Sequence, residues 1–329
     1  MRLRSRAVLA GFFLAASVLS LSACKKTEAT KPPVIKLDYA YYNPLSLVLK
    51  ERHFLEDDLA KEGVTVEWTL SQGSNKSLEL LNSKSVDFGS TAGVAAFIGK
   101  SNGNPIKTVY VYSRPEWTAL VVGKNSPITQ VADLKGKKVA VTRGTDPYVF
   151  LLRSLDQAGL TEKDIVLVPL QHADGKNALE RGDVDAWAGL DPLMAQAEVE
   201  DGAKLFHRYV ALNSYGVLNV REAFAKQYPA YVVRVLAAYE KARLWAIAHP
   251  AEFRALFVRD AKINDAIAGK VLDRTDLSNL VLGDEQKKVI AASGDVLKKS
   301  GVISSTTDVN ATVNDLIDPQ YIHQVVAAK

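Results

Sequence analysis

From Val34 onward, short apolar runs alternate with longer segments whose apolar residues recur every three or four positions, the pattern of α/β architecture. The short runs predict strands at Val34–Tyr41, Val64–Leu70, Val86–Phe88, Ile106–Tyr112 and Thr118–Val122, with helices over Pro44–Lys61 and Asn75–Asn82 between them. A second set begins at Ile128: strands at Lys137–Thr142, Ile165–Leu170, Val184–Ala188 and Lys204–Val210, and helices at Asp146–Ala158, Ala173–Arg181 and Pro192–Val199. Gly159 and Gly182 stop the first two of those helices, as a glycine just past a helix end does. After a last apolar run, Val217–Val220, nearly everything is of helical period, at Tyr228–Ala248, Ala251–Val258, Ile263–Leu272 and Glu285–Ser300.

The two sets echo each other. Leu80-Leu81-Asn82-Ser83-Lys84-Ser85-Val86-Asp87 and Ala178-Leu179-Glu180-Arg181-Gly182-Asp183-Val184-Asp185 lie 98 residues apart, and in each a helix ends, the chain turns and a Val-Asp strand follows. This suits two similar α/β lobes facing each other across a cleft rather than a solenoid.

The N-terminus has a different pattern. Arg2, Arg4 and Arg6 precede seventeen uncharged, mostly apolar residues, Ala7 to Ala23, the layout of a secretory signal. Leu21-Ser22-Ala23-Cys24 is similar to a bacterial lipobox, which makes residues 1–23 a lipoprotein signal peptide and Cys24 the lipidation site. Residues 24–33, polar and closed by Pro32-Pro33, read as a tether. An extracytoplasmic globule held at the membrane by acyl chains alone is expected. Charge supports this reading. The net charge of +4 comes mostly from the signal, so the globule is nearly neutral and carries no basic field for nucleic acid. Cys24 is the sole cysteine, which excludes an intramolecular disulfide and multi-cysteine metal sites.

Enzyme motifs fail. The five histidines are scattered without an i, i+4 pair, so no metal is expected. Gly93-Val94-Ala95-Ala96-Phe97-Ile98-Gly99-Lys100-Ser101 ends like a P-loop, but five residues separate its glycines and the segment reads as a helix. What stands out are strand-to-helix junctions rich in Gly, Ser, Thr and Asn. They are Tyr42-Asn43-Pro44, Ser71-Gln72-Gly73-Ser74-Asn75, Gly89-Ser90-Thr91-Ala92-Gly93 and Thr142-Arg143-Gly144-Thr145-Asp146. Free backbone N–H groups at such helix starts favour anions, and in open α/β sheets ligands lie beyond the carboxyl ends of the strands. Plain helix capping would use the same residues. Asp191 before Pro192 reads as an ordinary helix start, and Trp187 as either core or a ligand wall.

Val131-Ala132-Asp133-Leu134-Lys135-Gly136-Lys137-Lys138-Val139-Ala140, Gly144-Thr145, Leu151–Leu155, Asp185-Ala186-Trp187-Ala188, Asp191-Pro192 and Ser85-Val86-Asp87-Phe88-Gly89 resemble the periplasmic solute-binding proteins of ABC importers. The subgroup is that of aliphatic sulfonate, taurine and nitrate binders. The resemblance implies a two-lobe type II fold with two crossovers and a C-terminal helical extension. Lobe 1 would comprise residues 34–116 and 217–329, and lobe 2 residues 117–216. It further implies a monomeric receptor without cofactor that delivers a small organic anion, a sulfonate for sulfur acquisition, to a permease and its ATPase. Ligand contacts carried over by position are Asn43, Gly73, Ser74, Ser90, Thr91, Gly144, Thr145, Tyr148, Trp187, Asp191, Asn213 and Tyr215. Arg114 and Arg143 are candidate charges. Alternatives are nitrate, bicarbonate or a thiamine-pyrimidine or riboflavin-like ligand, and, from another class, a pyrimidine-synthase-like enzyme on the same fold. Asp146 departs from the subgroup's small residues: it would repel a sulfonate or pair with the amine of a taurine-like ligand.

Overall fold

Ten strands form two five-stranded sheets, and a computed structural model describes them through residues 31–114, 116–278 and 282–327. The chain from Lys31 onward is one unit by its internal contacts. The predicted signal peptide, Cys24 as the expected lipidation site and the expected tether up to residue 30 lie outside the described residues.

The first sheet is built from β1 (Val34–Tyr39), β2 (Thr65–Leu70), β3 (Phe88–Ala92), β4 (Ile106–Ser113) and β10 (Gly216–Arg221), in the order β2-β1-β3-β10-β4. The second contains β5 (Leu120–Val122), β6 (Lys138–Val141), β7 (Val166–Pro169), β8 (Ala186–Ala188) and β9 (Lys204–His207), in the order β7-β6-β8-β5-β9. Each sheet pairs three parallel strands with an antiparallel fourth that comes from beyond its own run: β10 lies between β3 and β4, and β5 between β8 and β9. The chain therefore passes between sheets twice, after β4 and after β9.

The sequence echo has a structural cause. Asp87 accepts a hydrogen bond from the backbone N–H of Lys36 at 3.0 Å, and Asp185 accepts one from Lys138 at 2.8 Å. Both carboxylates anchor the start of a third strand to the start of a first strand, β3 to β1 and β8 to β6.

Several boundaries differ from expectation, each for a local reason. The predicted helix 44–61 breaks into Pro44–Glu51 and Phe54–Leu59, because His53 takes a left-handed backbone (φ 52°) between them. Ser90 and Thr91, read as a loop, extend β3, since both are wholly buried and bonded there. The predicted helix 285–300 is two, Asp284–Ala291 and Gly294–Lys299. Val309–Leu316 and Gln320–Ala327 are helices too short in apolar period to stand out in sequence. No helix among the described residues is long and apolar enough to cross a membrane.

C-terminal helices bridge the two sheets. Helix Asp265–Asp273 packs on Leu193–Glu200, and Gly294–Lys299 packs on Asp146–Gln157. At the end of the first of these, Arg274 donates to both carboxylate oxygens of Asp191 at 3.2–3.3 Å and pairs with Glu198.

Candidate functional site

The carboxyl ends of the strands in both sheets converge on one small cavity. On the first-sheet side Asp38, at zero exposure, gathers three junctions. It accepts from Ser71 Oγ at 2.8 Å, from the Ser90 N–H at 2.8 Å and from Ser90 Oγ at 2.9 Å. Asn43 Nδ2 donates to Ser90 Oγ at 2.8 Å, and the Tyr42 hydroxyl donates to the Ser90 carbonyl at 2.9 Å while lying 2.8 Å from Ser71 Oγ. Burial pushes Asp38 up to about 6, against the lowering effect of its serine partners. Ser74 Oγ accepts from the Ala92 N–H at 2.9 Å, which pins the start of helix Ser74–Asn82 to the end of β3.

On the second-sheet side, Thr145 turns inward and donates to the Thr142 carbonyl at 2.6 Å. Asp146, the first residue of helix Asp146–Gln157, reaches both crossovers. It accepts from Trp117 Nε1 at 2.7 Å, from the Ser214 N–H at 3.1 Å and from Ser214 Oγ at 3.0 Å. Asn213 ties the crossovers to each other by accepting from the N–H groups of Trp117 and Thr118 at 3.3 and 3.1 Å. Tyr42, Ser74, Ala92, Tyr112, Trp117, Thr145, Asp146, Pro147 and Leu190 enclose a space of about 10 Å³. A groove of about 560 Å³ also lies on the second-sheet side, beside Lys176 and Asp201, but it is remote from these junctions and those two charges neutralise each other.

Of the residues singled out from sequence, Ser74 and Thr145 line the cavity. Gly73 and Gly144 form the rim where the sheets meet. A Cβ on Gly73 would lie 3.0 Å from His172 Nε2, and one on Gly144 3.8 Å from Asn75 Cβ. Asn43, Ser90 and Thr91 stand behind the lining, bonded into the platform; Thr91 Oγ1 accepts from Asn219 Nδ2 at 2.8 Å. Asn213 braces the crossovers. Tyr148 does not line the cavity: its hydroxyl donates to Glu162 at 2.6 Å, with Arg143 alongside, on the far side of its helix. Tyr215 bonds Glu285 and Arg114 outside the cavity. Both candidate arginines are thus occupied by glutamates, Arg114 by Glu285 and Arg143 by Glu162.

Trp187 is core, packed among Ala119, Val121, Ala140 and Met194. Asp191 starts its helix by accepting from the Ala195 N–H at 2.9 Å, and it also takes Arg274. Burial raises its carboxyl to about 6 in spite of that guanidinium. Sequence reasoning missed Asp38, Trp117 and His172. Asp38 broke no visible pattern, because strand alternation permits a polar residue there. A tryptophan placed between two strands, as Trp117 is, was the available signal.

His172 faces Gly73 across the rim, buried, and neither ring nitrogen has a hydrogen-bond partner among the described residues. Desolvation pulls it down to about 4. With a folded pKa below the unfolded 6.5, its contribution to stability is complete above pH 6.5 and is lost as the pH falls toward 4. Asp38 and Asp191 act in the opposite sense: their folded values exceed 3.8, so their contribution grows as the pH falls through 6. Comparing wild type with His172→Gln isolates the histidine. Relative to the variant, wild type should lose about 3 kcal/mol between pH 7 and pH 4, read from urea midpoints. A pH-independent difference contradicts this.

Residues 59–253 match the model of a family described as NMT1/THI5 like. A protein from Escherichia coli (strain K12), provisionally named an aliphatic sulfonates-binding protein, is 32% identical over 229 residues, 69% of this chain and 71% of its own length. One of the same name from Bacillus subtilis (strain 168) is 29% identical over 283 residues, 85% of this chain and 84% of its own. Among solved structures, the alkanesulfonate-binding protein SsuA from Xanthomonas axonopodis pv. citri, bound to MOPS, gives a TM-score of 0.80 at 22% identity over 88% of this chain and 100% of that one, a likeness of fold.

Proposed function

The chain belongs to the NMT1/THI5-like family, and from that premise we propose that it is an extracytoplasmic receptor which captures a small sulfonate between its two sheets for an ABC importer. The observation that carries the reading is the convergence of helix starts from both sheets, Ser74–Asn82 and Asp146–Gln157, on one buried cavity. Unpaired N–H groups and helix dipoles at such ends hold an anion without a basic side chain. A space of about 10 Å³ is roughly that of one water. A sulfonate therefore enters only after the sheets part, hinging at the crossovers 116–119 and 208–215. Reclosure around it is then both the grip and the state presented to the permease.

We take 34–116 with 217–329 as one lobe and 117–216 as the other, with Cys24 acylated as the membrane anchor and the protein acting as a monomer. Binding, not catalysis, fits the lining. Ser74 Oγ and Thr145 Oγ1 are bonded to backbone groups, and neither is hydrogen-bonded to a titratable side chain among the described residues.

Isothermal titration of the purified protein tests the ligand class, with short alkanesulfonates, taurine, nitrate, sulfate, bicarbonate and pyrimidine precursors as the panel. Sulfonates should bind one to one and raise the melting temperature; at about 100 times Kd the gain is about 2.7 kcal/mol. Binding of pyrimidines alone would overturn the sulfonate assignment.

A further inference from the structure

Resting on the sulfonate-receptor reading, we propose that His172 makes closure of the two sheets acid-sensitive: its imidazole is enclosed between them only while uncharged, so its protonation favours the parted arrangement and releases the bound anion.

His172 opens helix His172–Glu180 on the second-sheet side, and its ring packs against the turn before helix Ser74–Asn82 on the first-sheet side. The ring takes the room that a side chain at Gly73 would need: a Cβ there would lie 3.0 Å from Nε2 and 3.1 Å from Cδ2. Next to it Asn75 Nδ2 donates to Gln171 Oε1 at 3.4 Å, which also joins one sheet side to the other. His172 is 3% exposed, and neither ring nitrogen has a hydrogen-bond partner among the described residues. Enclosed as neutral imidazole, it leaves one N–H and one lone pair unmet; as imidazolium it would leave two N–H groups and a full charge. Asn75 Oδ1, also unpartnered among the described residues, serves at most one of those groups.

The charges on the surrounding elements are engaged elsewhere. On its own helix Asp174 is exposed, and Lys176 pairs with Glu180 and Asp201. On helix Ser74–Asn82, Lys76 pairs with Glu79. Arg143 is held by Glu162, and Asp146 by Trp117 and Ser214. On helix Leu193–Glu200, Glu198 pairs with Arg274 and Lys270, and Glu200 accepts from Gln196. In β6 Lys138 is exposed at the amino end, and β8 is uncharged. Desolvation alone therefore acts on the ring. Parting the sheets, which ligand entry requires, withdraws Gly73 and Asn75 and returns the imidazole to water, where it protonates near pH 6.5. Enclosed, it does so only at about pH 4. Between those values the proton binds the parted form better and shifts the population toward it.

Calorimetric titration with propanesulfonate at pH 7.5 and pH 5.5 tests this on wild type and His172→Gln, whose side chain is neutral at both. Asp38, Asp146 and Asp191 are common to the two proteins, so the comparison cancels them. The loss of affinity in acid should be about tenfold greater in wild type than in the variant, as ring values of 6.5 and about 4 require. At pH 5.5, titrations in two buffers of different ionisation enthalpy should show wild type releasing about one more proton per ligand than the variant. Should the variant fail to fold, the NMR titration of the His172 ring in wild type decides: its midpoint should fall when propanesulfonate is bound. An equal acid loss in both proteins, equal proton release, or a midpoint unmoved by ligand overturns the inference while leaving the receptor reading intact. Absence of binding at pH 7.5 overturns the receptor reading, and this inference with it.

Discussion

Trp187→Ala should lower the unfolding free energy by about 3–5 kcal/mol, the cost of emptying a large aromatic site in a packed core. Trp187 is fully buried in β8, and the second sheet closes around it through Ala119, Val121, Ala140, Ala178 and Leu179. Gly175 has no side chain because a Cβ there would come within 2.7 Å of the indole nitrogen. In a chain of this size the loss corresponds to a fall of about 10 °C in melting temperature. Sulfonate affinity of the folded variant, measured at 10 °C, should stay within about twofold, since the indole is not part of the cavity lining. Loss of affinity at unchanged stability would make Trp187 a wall of the site after all.

Arg274→Ala should be comparably damaging, for an electrostatic reason. The side chains of Arg274, Asp191 and Glu198 are 9%, 4% and 16% exposed. Removing the guanidinium leaves Asp191 buried and uncompensated, with an expected loss of about 3–5 kcal/mol at pH 7.5. Acid should reduce the damage. Asp191 already titrates near 6 with its partner present, and without it the carboxyl moves higher still, so at pH 5 it is neutral and needs no cation. Urea midpoints of wild type and variant at the two pH values check this; a loss as large at pH 5 as at pH 7.5 would show that packing, not charge, explains the effect. Because Arg274 follows a C-terminal helix and its partners lie next to the second sheet, the same variant should also favour the parted arrangement of the sheets.

Much of the fold was legible because burial imposes periodicity. Ile35 and Leu37 are buried while Val34 and Lys36 between and before them are half-exposed in β1, and the Val-Asp echo at 87 and 185 reports one hydrogen-bonding task done twice. What stayed hidden depends on contacts distant in sequence. The break at His53 is set by how Phe54–Leu59 packs on the long helix Pro229–Ala248, and β3 reaches Ala92 because β10, over a hundred residues later, pairs with it. The site divides in the same way. Ser74 and Thr145, which line the cavity, were legible because a junction residue at a helix start is recognisable locally. Asp38 and Trp117 were not, because their roles come from meeting Ser90 and Asp146 in space. Tyr148 and Trp187 were carried over by position, and the structure turns one toward Glu162 and the other into the core.

If a sulfonate is gripped by closure of the two sheets about the crossovers, binding it compacts the protein. Small-angle X-ray scattering of the protein with and without saturating sulfonate tests it most directly. A smaller radius of gyration is expected with ligand than without. An unchanged profile, at a ligand concentration where titration shows the site filled, would contradict it.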